Sequence, residues 1–274
     1  MSSTDTVHPA PPTGRPLASS VVLVTGGAGG LGREIVAALA SAGAEVAVTA
    51  RDVSRLEPIV AEVGRRGTRA VPIAMDLRER ASIGAAVDAA MDAFGRIDVL
   101  VCNSGIAGPS SSVLSVTDAE WDDTIAVNLT GTFLCAREVA RHMAAAKQGS
   151  IVLIGSMTGK RPLLNRAPYA ASKMALVGLS RTMAWDLGPD GIRVNVVSPG
   201  FVDGERLDWV VDAQATAQGR PPAEILLDME HASPLSRVTS PEDVARAVVF
   251  LASDASGGIT GEDLNVSSGI VMHG

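Results

Sequence analysis

The sequence predicts an α/β protein: a three-layer, doubly wound domain on a seven-stranded parallel sheet. Three observations carry that expectation. Short apolar runs such as "SVVLVTG" and "IDVLVCN" alternate with longer amphipathic stretches along nearly the whole chain, and strand–helix alternation generates right-handed crossovers and parallel pairing. The runs are apolar throughout rather than at every second residue, as strands covered on both faces are. The hydrophobic fraction is 46 % with only 3 % aromatic, so the apolar mass is Ala, Val, Leu and Ile beside 28 glycines. A chain of 274 residues can bury a substantial single core.

The elements follow in order. Residues 1–17, containing "MSSTDTVHPAPPTGRP", are rich in Pro, Ser and Thr and lack the apolar core of a secretion signal. They are expected to form a disordered tail, leaving 18–274 as one domain. "SVVLVTG" is the first strand, and "LGREIVAALASAG" a helix closed by Gly43. "EVAVTA" is the second strand, and Ser54 with Glu57 in "SRLE" has the capping-box pattern that opens a helix. "RAVPIAMD" and "IDVLVCN" are strands flanking the helix "ERASIGAAVDAAMDAFG". A long helix is expected over about 118–146, then the strand "GSIVLIGS", a helix over about 168–187 and the strand "IRVNVVSPG". Residues 205–235 are polar and mixed, with helical patches, and have the look of a substrate lid. "SPEDVARAVVFLAS" is a last amphipathic helix with Pro241 in its first turn, and "EDLNVSSG" the seventh strand.

Composition also removes whole classes of function. The net charge of −7, with no Lys/Arg run longer than two, argues against a nucleic-acid partner. Cys102 and Cys135 are too few for a disulfide scaffold and read as reduced thiols of a cytoplasmic protein. The "NLT" at 128 and "NVS" at 265 would then go unglycosylated. No 18-residue apolar run predicts a membrane span, and the four histidines show no metal spacing.

"TGGAGGLG", residues 25–32, joins the first strand to the first helix. Glycines there let backbone approach a pyrophosphate, which the free N–H groups and positive dipole end of the helix attract. Ligands of doubly wound sheets bind at such carboxyl ends of strands. The spacing is ambiguous: Gly27, Gly29 and Gly32, or Gly26, Gly29 and Gly32, or Gly26, Gly30 and Gly32 each fit a glycine signature. The second strand ends "VTARD", placing Ala50 where a ribose-binding carboxylate would stand and Arg51 next. A guanidinium there suits a 2′-phosphate, which favours NADP(H). Asp52, one residue on, leaves NAD(H) open; its other role is to start the next helix.

The single tyrosine of the chain, Tyr169, stands four residues before Lys173 in "RAPYAASKMAL". On a helix the two share a face. Lowering a phenol pKa from ~10 by ~3 units takes ~4 kcal/mol. One cation at ~4 Å supplies ~4 kcal/mol at an effective dielectric of ~20. The pair is therefore of the right size to make a proton-transfer group.

The neighbours of this pair resemble the short-chain dehydrogenase/reductase family, in its single-domain branch with a Rossmann-type fold, over about residues 18–272. Ser156 in "IVLIGSMTG" lies thirteen positions before Tyr169, and Asn128 in "IAVNLTGTF" matches the family's active-site asparagine. "TGGAGGLG" matches the T-G-x-x-x-G-x-G loop, which selects Gly26, Gly30 and Gly32. Asp76 in "AMDL" matches the acid beside the adenine pocket, "CNSG" (102–105) resembles N-N-A-G, and "SPG" (198–200) the turn beside the nicotinamide. The resemblance implies an NAD(P)-dependent ketone/alcohol oxidoreductase acting on a small molecule. Asn128, Ser156, Tyr169 and Lys173 would be catalytic: Tyr169 as general acid/base, Lys173 lowering its pKa and holding the nicotinamide ribose, Ser156 orienting the substrate oxygen, Asn128 placing a relay water. Gly26, Gly29, Gly30, Leu31, Gly32, Arg51, Asp76, Leu77, Asn103, Gly105, Tyr169, Lys173, Pro199, Gly200 and Val202 would contact the cofactor. A homotetramer packed through the two long helices and the last strand is implied as well.

Several positions depart from the family pattern. Cys102 and Ser104 replace an Asn and an Ala, Gly204 stands where a Thr often holds the carboxamide, leaving the backbone at Val202, and "VSSG" replaces V-D-G-G. In the lid, Trp209, Val210, Leu226, Leu227 and Met229 are candidate pocket residues, and Arg161, Arg166, Arg206 and His231 candidate polar contacts. A redox-sensing binding protein on this fold is the alternative, but such proteins usually lose the Tyr or the Lys. The family's longer epimerase branch needs a larger C-terminal part, and a G-x-S-x-G hydrolase fails because Ser156 directly follows Gly155.

Overall fold

The computed structural model describes residues 14–272. Its seven strands are β1 (Val21–Thr25), β2 (Glu45–Ala50), β3 (Ala70–Ala74), β4 (Val99–Cys102), β5 (Gly149–Ile154), β6 (Ile192–Pro199) and β7 (Asp263–Val266). All pair in parallel in the order β3-β2-β1-β4-β5-β6-β7. The order reverses between β1 and β4, whose ends align as Thr25 opposite Cys102. That switch point opens the crevice where ligands of such sheets bind.

Alternation along each strand feeds two cores. Val22 and Val24 of β1 face α1 (Gly30–Ser41), α2 (Glu57–Arg65) and α9 (Pro241–Ala252), where Ile35, Leu39, Ile59, Val244 and Val248 are buried. Leu23 faces the opposite layer of α3 (Arg80–Phe94), α5 (Thr132–Ala146) and α6 (Ala167–Leu187), with Ile83, Val139 and Leu176. Pro72, which cannot donate to a ladder, sits on the edge strand β3.

Four expectations need correction. Ser54 does not cap α2. The Asp52 carboxylate accepts from the Ser54 N–H at 3.0 Å and its hydroxyl at 2.7 Å, opening a 3₁₀ turn over Val53–Leu56 before α2 begins. The helix expected over 118–146 is continuous but not uniformly wound. α4 (Asp118–Ile125), started by a Thr117–Glu120 capping box, passes through a π turn at Ala126–Gly131 into α5. Gly131 packs so closely on Leu77 that a Cβ would lie 2.6 Å from it, and the Thr132 hydroxyl takes the Asn128 carbonyl at 3.0 Å. Leu17, assigned to the tail, is buried; its N–H donates to Ala42 at the end of α1. Residues 1–13 of the tail lie outside the described residues.

The segment 205–235 is the fourth. It forms two helices, α7 (Glu205–Gln218) and α8 (Pro222–His231), on a small core of their own with Met157 and Phe201. Met229 is consumed by that core rather than left to line a pocket, while Leu226 and Leu227 are exposed.

Candidate active site

The glycine loop is welded to the β4 end. Gly26 has φ +72°, and a Cβ there would meet the Ser104 hydroxyl at 2.6 Å. A Cβ on Gly32 would lie 2.0 Å from the Gly26 carbonyl oxygen, so only glycine lets the loop fold over the first turn of α1. Asn103 ties the two strands: its amide donates to the carbonyls of Thr25 (3.1 Å) and Gly26 (2.9 Å), while the Thr25 hydroxyl accepts from the N–H groups of Asn103 and Ser104. Gly29 stands at the N-cap of α1, followed by Gly30 and Leu31. The space beside Gly29 and Gly30 is open, and no side chain or acid caps this helix end. Such a cradle fits a phosphate.

Beyond β2, a cleft is lined by Ala50, Arg51, Asp52 and Arg55. The Ser54 bonds hold the Asp52 carboxyl below its usual range, so it is an ionised cap of the 3₁₀ turn. That leaves Arg51 and Arg55 as the cations of the cleft. Arg55 was not singled out in the sequence, although its spacing from Arg51 across one turn could have found it. At the end of β3, Asp76 accepts from the Arg78 N–H at 3.0 Å, and Leu77 is buried against Gly131.

The four candidate catalytic residues converge at the carboxyl ends of β4 and β5. The π turn places Asn128, which is fully buried: its amide donates to the Ile106 carbonyl at 3.0 Å and the Ser172 hydroxyl at 3.1 Å, and its Oδ1 accepts from the Ile106 N–H. Lys173 Nζ donates to the Ile154 carbonyl at 2.8 Å and lies 5.9 Å from the Tyr169 ring centroid. Gly105 closes the group; a Cβ there would be 3.1 Å from Asn128 Oδ1 and 3.3 Å from Lys173 Nζ. Ser156 is buried and accepts from the Thr158 N–H.

Electrostatics prepare the phenol. Burial pushes Tyr169 upward, but Lys173 first, then Arg206, the Ser156 hydroxyl and Arg166 outweigh it, and the net shift is downward. Ser156 is near enough to favour the phenolate although the two hydroxyls do not meet hydrogen-bond geometry. Lys173 is lowered by burial, opposed by Tyr169. Cys102, by contrast, is inert: its contact with Cys135 and its burial hold the thiol well above its ordinary range.

Two arginines of the sequence reading also reach the site. The Arg166 guanidinium lies over the rings of both Tyr169 and Trp209, 4.7 and 4.8 Å from their centroids. Arg206, at the start of α7, donates to the Gly105 carbonyl at 2.7 Å. Arg161 and His231 form no described side-chain bond here. The turn after Pro199 is fixed by Gly200, whose N–H donates to Val266 and whose Cβ would sit 2.7 Å from Ser267. Thr239 pairs with Phe201 and Asp203, so the N–H and C=O of Val202 point the other way, as in any parallel bridge. Among the described residues no group of three or more His, Cys, Asp or Glu could hold a metal, and no helix is long and apolar enough to cross a membrane.

A glycine loop of a shape that fits a phosphate, at the switch point, together with a buried tyrosine–lysine pair, points to an oxidoreductase of the nicotinamide-dependent α/β kind. Comparison with known proteins gives the family: residues 26–271 match the family model described as "Enoyl-(Acyl carrier protein) reductase", and the chain belongs to the short-chain dehydrogenase/reductase family. It is 36 % identical over 257 residues to cis-4-hydroxycyclohexanecarboxylate dehydrogenase of Sinomonas cyclohexanicum, covering 93 % of this chain and 98 % of that one. It is 34 % identical to the 3-oxoacyl-(acyl-carrier-protein) reductase FabG of Escherichia coli K12, covering 92 % and 97 %. The crystal structure of an NAD⁺-bound xylitol dehydrogenase superimposes with a TM-score of 0.90 at 30 % identity, covering 93 % of this chain and all of that one. The protein is thus an enzyme of the class that acts on CH–OH or C=O groups.

Proposed function

We propose that the protein interconverts a ketone and a secondary alcohol, with NADP(H) preferred to NAD(H). The observation that carries this reading is the buried Tyr169–Lys173 pair beside Ser156, with the phenol held below its ordinary range. When bound, the nicotinamide supplies or accepts the hydride. Tyr169 donates the proton to the substrate oxygen in reduction and takes it in oxidation. Ser156 donates to the same oxygen and stabilises its developing charge. Lys173, fixed by Ile154, keeps the phenol acidic, and Asn128 holds the Ile106 loop where a relay water would reach Lys173.

Several features fit the cofactor. Gly26, Gly29, Gly30, Leu31 and Gly32 would hold the pyrophosphate, and Asp76 and Leu77 would border the adenine. Asn103, Gly105, Pro199, Gly200 and the free Val202 backbone would border the nicotinamide half. The preference for NADP(H) rests on Arg51 and Arg55 flanking a carboxylate already spent on Ser54. Residues 205–235 would act as the lid of a single domain. The two buried free thiols suit a cytoplasmic location. The faces of α5 and α6, where Phe133, Met174 and Trp185 are exposed (the last at 85 %), would be contacts of a homotetramer. A panel of ketones and secondary alcohols, followed by the absorbance of reduced nicotinamide with each cofactor, tests the reading. Absence of turnover across the panel with both cofactors would sink it.

A further inference from the structure

Arg166 is a buried cation with unmet hydrogen-bonding capacity. The residue is only 4 % exposed, and its Nε and Nη1 are buried with no hydrogen-bond partner. Its guanidinium lies over two rings, those of Tyr169 and Trp209. Cation–π contact satisfies faces, whereas the N–H groups lie in the plane and stay unpaired. A buried charge in that condition is costly unless an anion completes it. Arg193 shows what a structural arginine looks like in this fold: its Nη atoms donate to the Leu251 and Ser253 carbonyls and the Ser256 hydroxyl at 2.8–3.1 Å. Arg166 has no such set.

The orphan stands beside the reacting group. Arg166 precedes Tyr169 by three residues at the start of α6 and stacks on its ring. Arg206 reaches the same place from α7, and its one described side-chain bond is to the Gly105 carbonyl. Among the described residues no carboxylate forms an ion pair with Arg166, Arg206 or Lys173. Three cations therefore converge on one phenol without a counter-charge, in a chain whose net charge is −7.

We propose that the missing counter-charge is the substrate's own: the enzyme acts on an oxo acid or hydroxy acid whose carboxylate binds the Arg166 guanidinium edge, with Arg206 as second cation. This rests on the ketone–alcohol reading above. A guanidinium presents its N–H donors as a planar fork, which pairs bidentately with the two oxygens of a carboxylate. Of the two rings against Arg166, Tyr169 is buried and Trp209, on α7, is the one open to solvent, 40 % exposed. In reduction the carbonyl carbon gains the hydride of the reduced nicotinamide and its oxygen gains the Tyr169 proton. The carboxylate is a handle and does not react.

The test compares levulinate with methyl levulinate, and acetoacetate with methyl acetoacetate, in the wild type, Arg166→Met and Arg166→Lys. The wild type should prefer each acid to its ester in kcat/KM. Arg166→Met should cut the acid-to-ester ratio roughly 10- to 100-fold, and Arg166→Lys should restore part of it; a purely structural loss would lower both substrates alike. Calorimetric titration of levulinate onto the wild type and Arg166→Met, with inorganic phosphate as competitor, reads the site without turnover. The inference is overturned if the wild type handles acid and ester equally, if Arg166→Met leaves the ratio unmoved, or if phosphate binds as well as levulinate. The wild-type ratio stands by itself should the variants fail to fold. Turnover of neutral ketones without acid preference removes the anion site alone. Levulinate binding that depends on Arg166, with no ketone reduced, removes the reductase reading alone.

Discussion

Lys173 follows Tyr169 by one turn of α6 and is anchored, through its bond to the Ile154 carbonyl, 5.9 Å from the phenol ring centroid. An ammonium tied to the sheet in this way cannot drift from the ring as an exposed lysine would. The helix supplies the spacing and β5 supplies the fixed point.

Replacing Tyr169 by Phe removes the proton donor and leaves the ring packing in place. Turnover should fall at least ~100-fold, while nucleotide still quenches tryptophan fluorescence. Near-normal turnover in this variant would refute the acid/base role.

The pH dependence follows from the sign of the shift. Oxidation needs the phenolate, so its kcat/KM should rise with pH through a midpoint below the ordinary phenol value of ~10. Burial raises Tyr169 and Lys173 is the largest force lowering it, so Lys173→Met should move the midpoint upward; Arg206→Ala should do so less. A midpoint unmoved by Lys173→Met would contradict this ordering.

Arg51→Ala should weaken NADP(H) roughly 10- to 100-fold and NAD(H) far less, with a second loss on Arg55→Ala. Calorimetry with both cofactors decides it: equal losses for the two would exclude contact with a 2′-phosphate.

Lys160 and Asp263 form an ion pair at 2.6 Å, 8 % and 2 % exposed, linking the turn after Ser156 to β7. Asp263 also accepts from Ser198 at 2.6 Å. Lys160→Met strands a buried carboxylate and should cost ~3–5 kcal/mol in urea unfolding. Adding Asp263→Leu should return much of that; if the double variant is no better, the pair is not what holds the turn.

The sheet was legible because its code is redundant: seven apolar runs, each followed by a glycine or a helix, leave little choice of topology. The site was legible where spacing decides it, as between Tyr169 and Lys173. What escaped was set by tertiary contact. Nothing near Asn128 announces a π turn, because Leu77, distant in sequence, packs on Gly131. Ser54 has the right neighbour for a cap, yet the Asp52 carboxylate takes the Ser54 N–H and hydroxyl and opens a 3₁₀ turn instead. Leu226 and Leu227 look like pocket residues until the small core around Met157 takes the opposite face of α8. The orphaned Arg166 could not be distinguished from a surface arginine before Trp209 and Tyr169 were seen to close over it.

The extra residue held in the 126–131 turn makes the rod from α4 to α5 a gauge of length. Each residue of an α-helix adds ~100° of rotation. Deleting one residue here would let the turn relax to ordinary winding, which keeps the faces of α4 and α5 in place but removes the bulge that places Asn128. The amide of Asn128 would leave Ile106 and Ser172 together. Away from Asn128 and Gly131 this stretch should accept exchanges of side chain but no change in count, a constraint that an insertion–deletion scan would reveal.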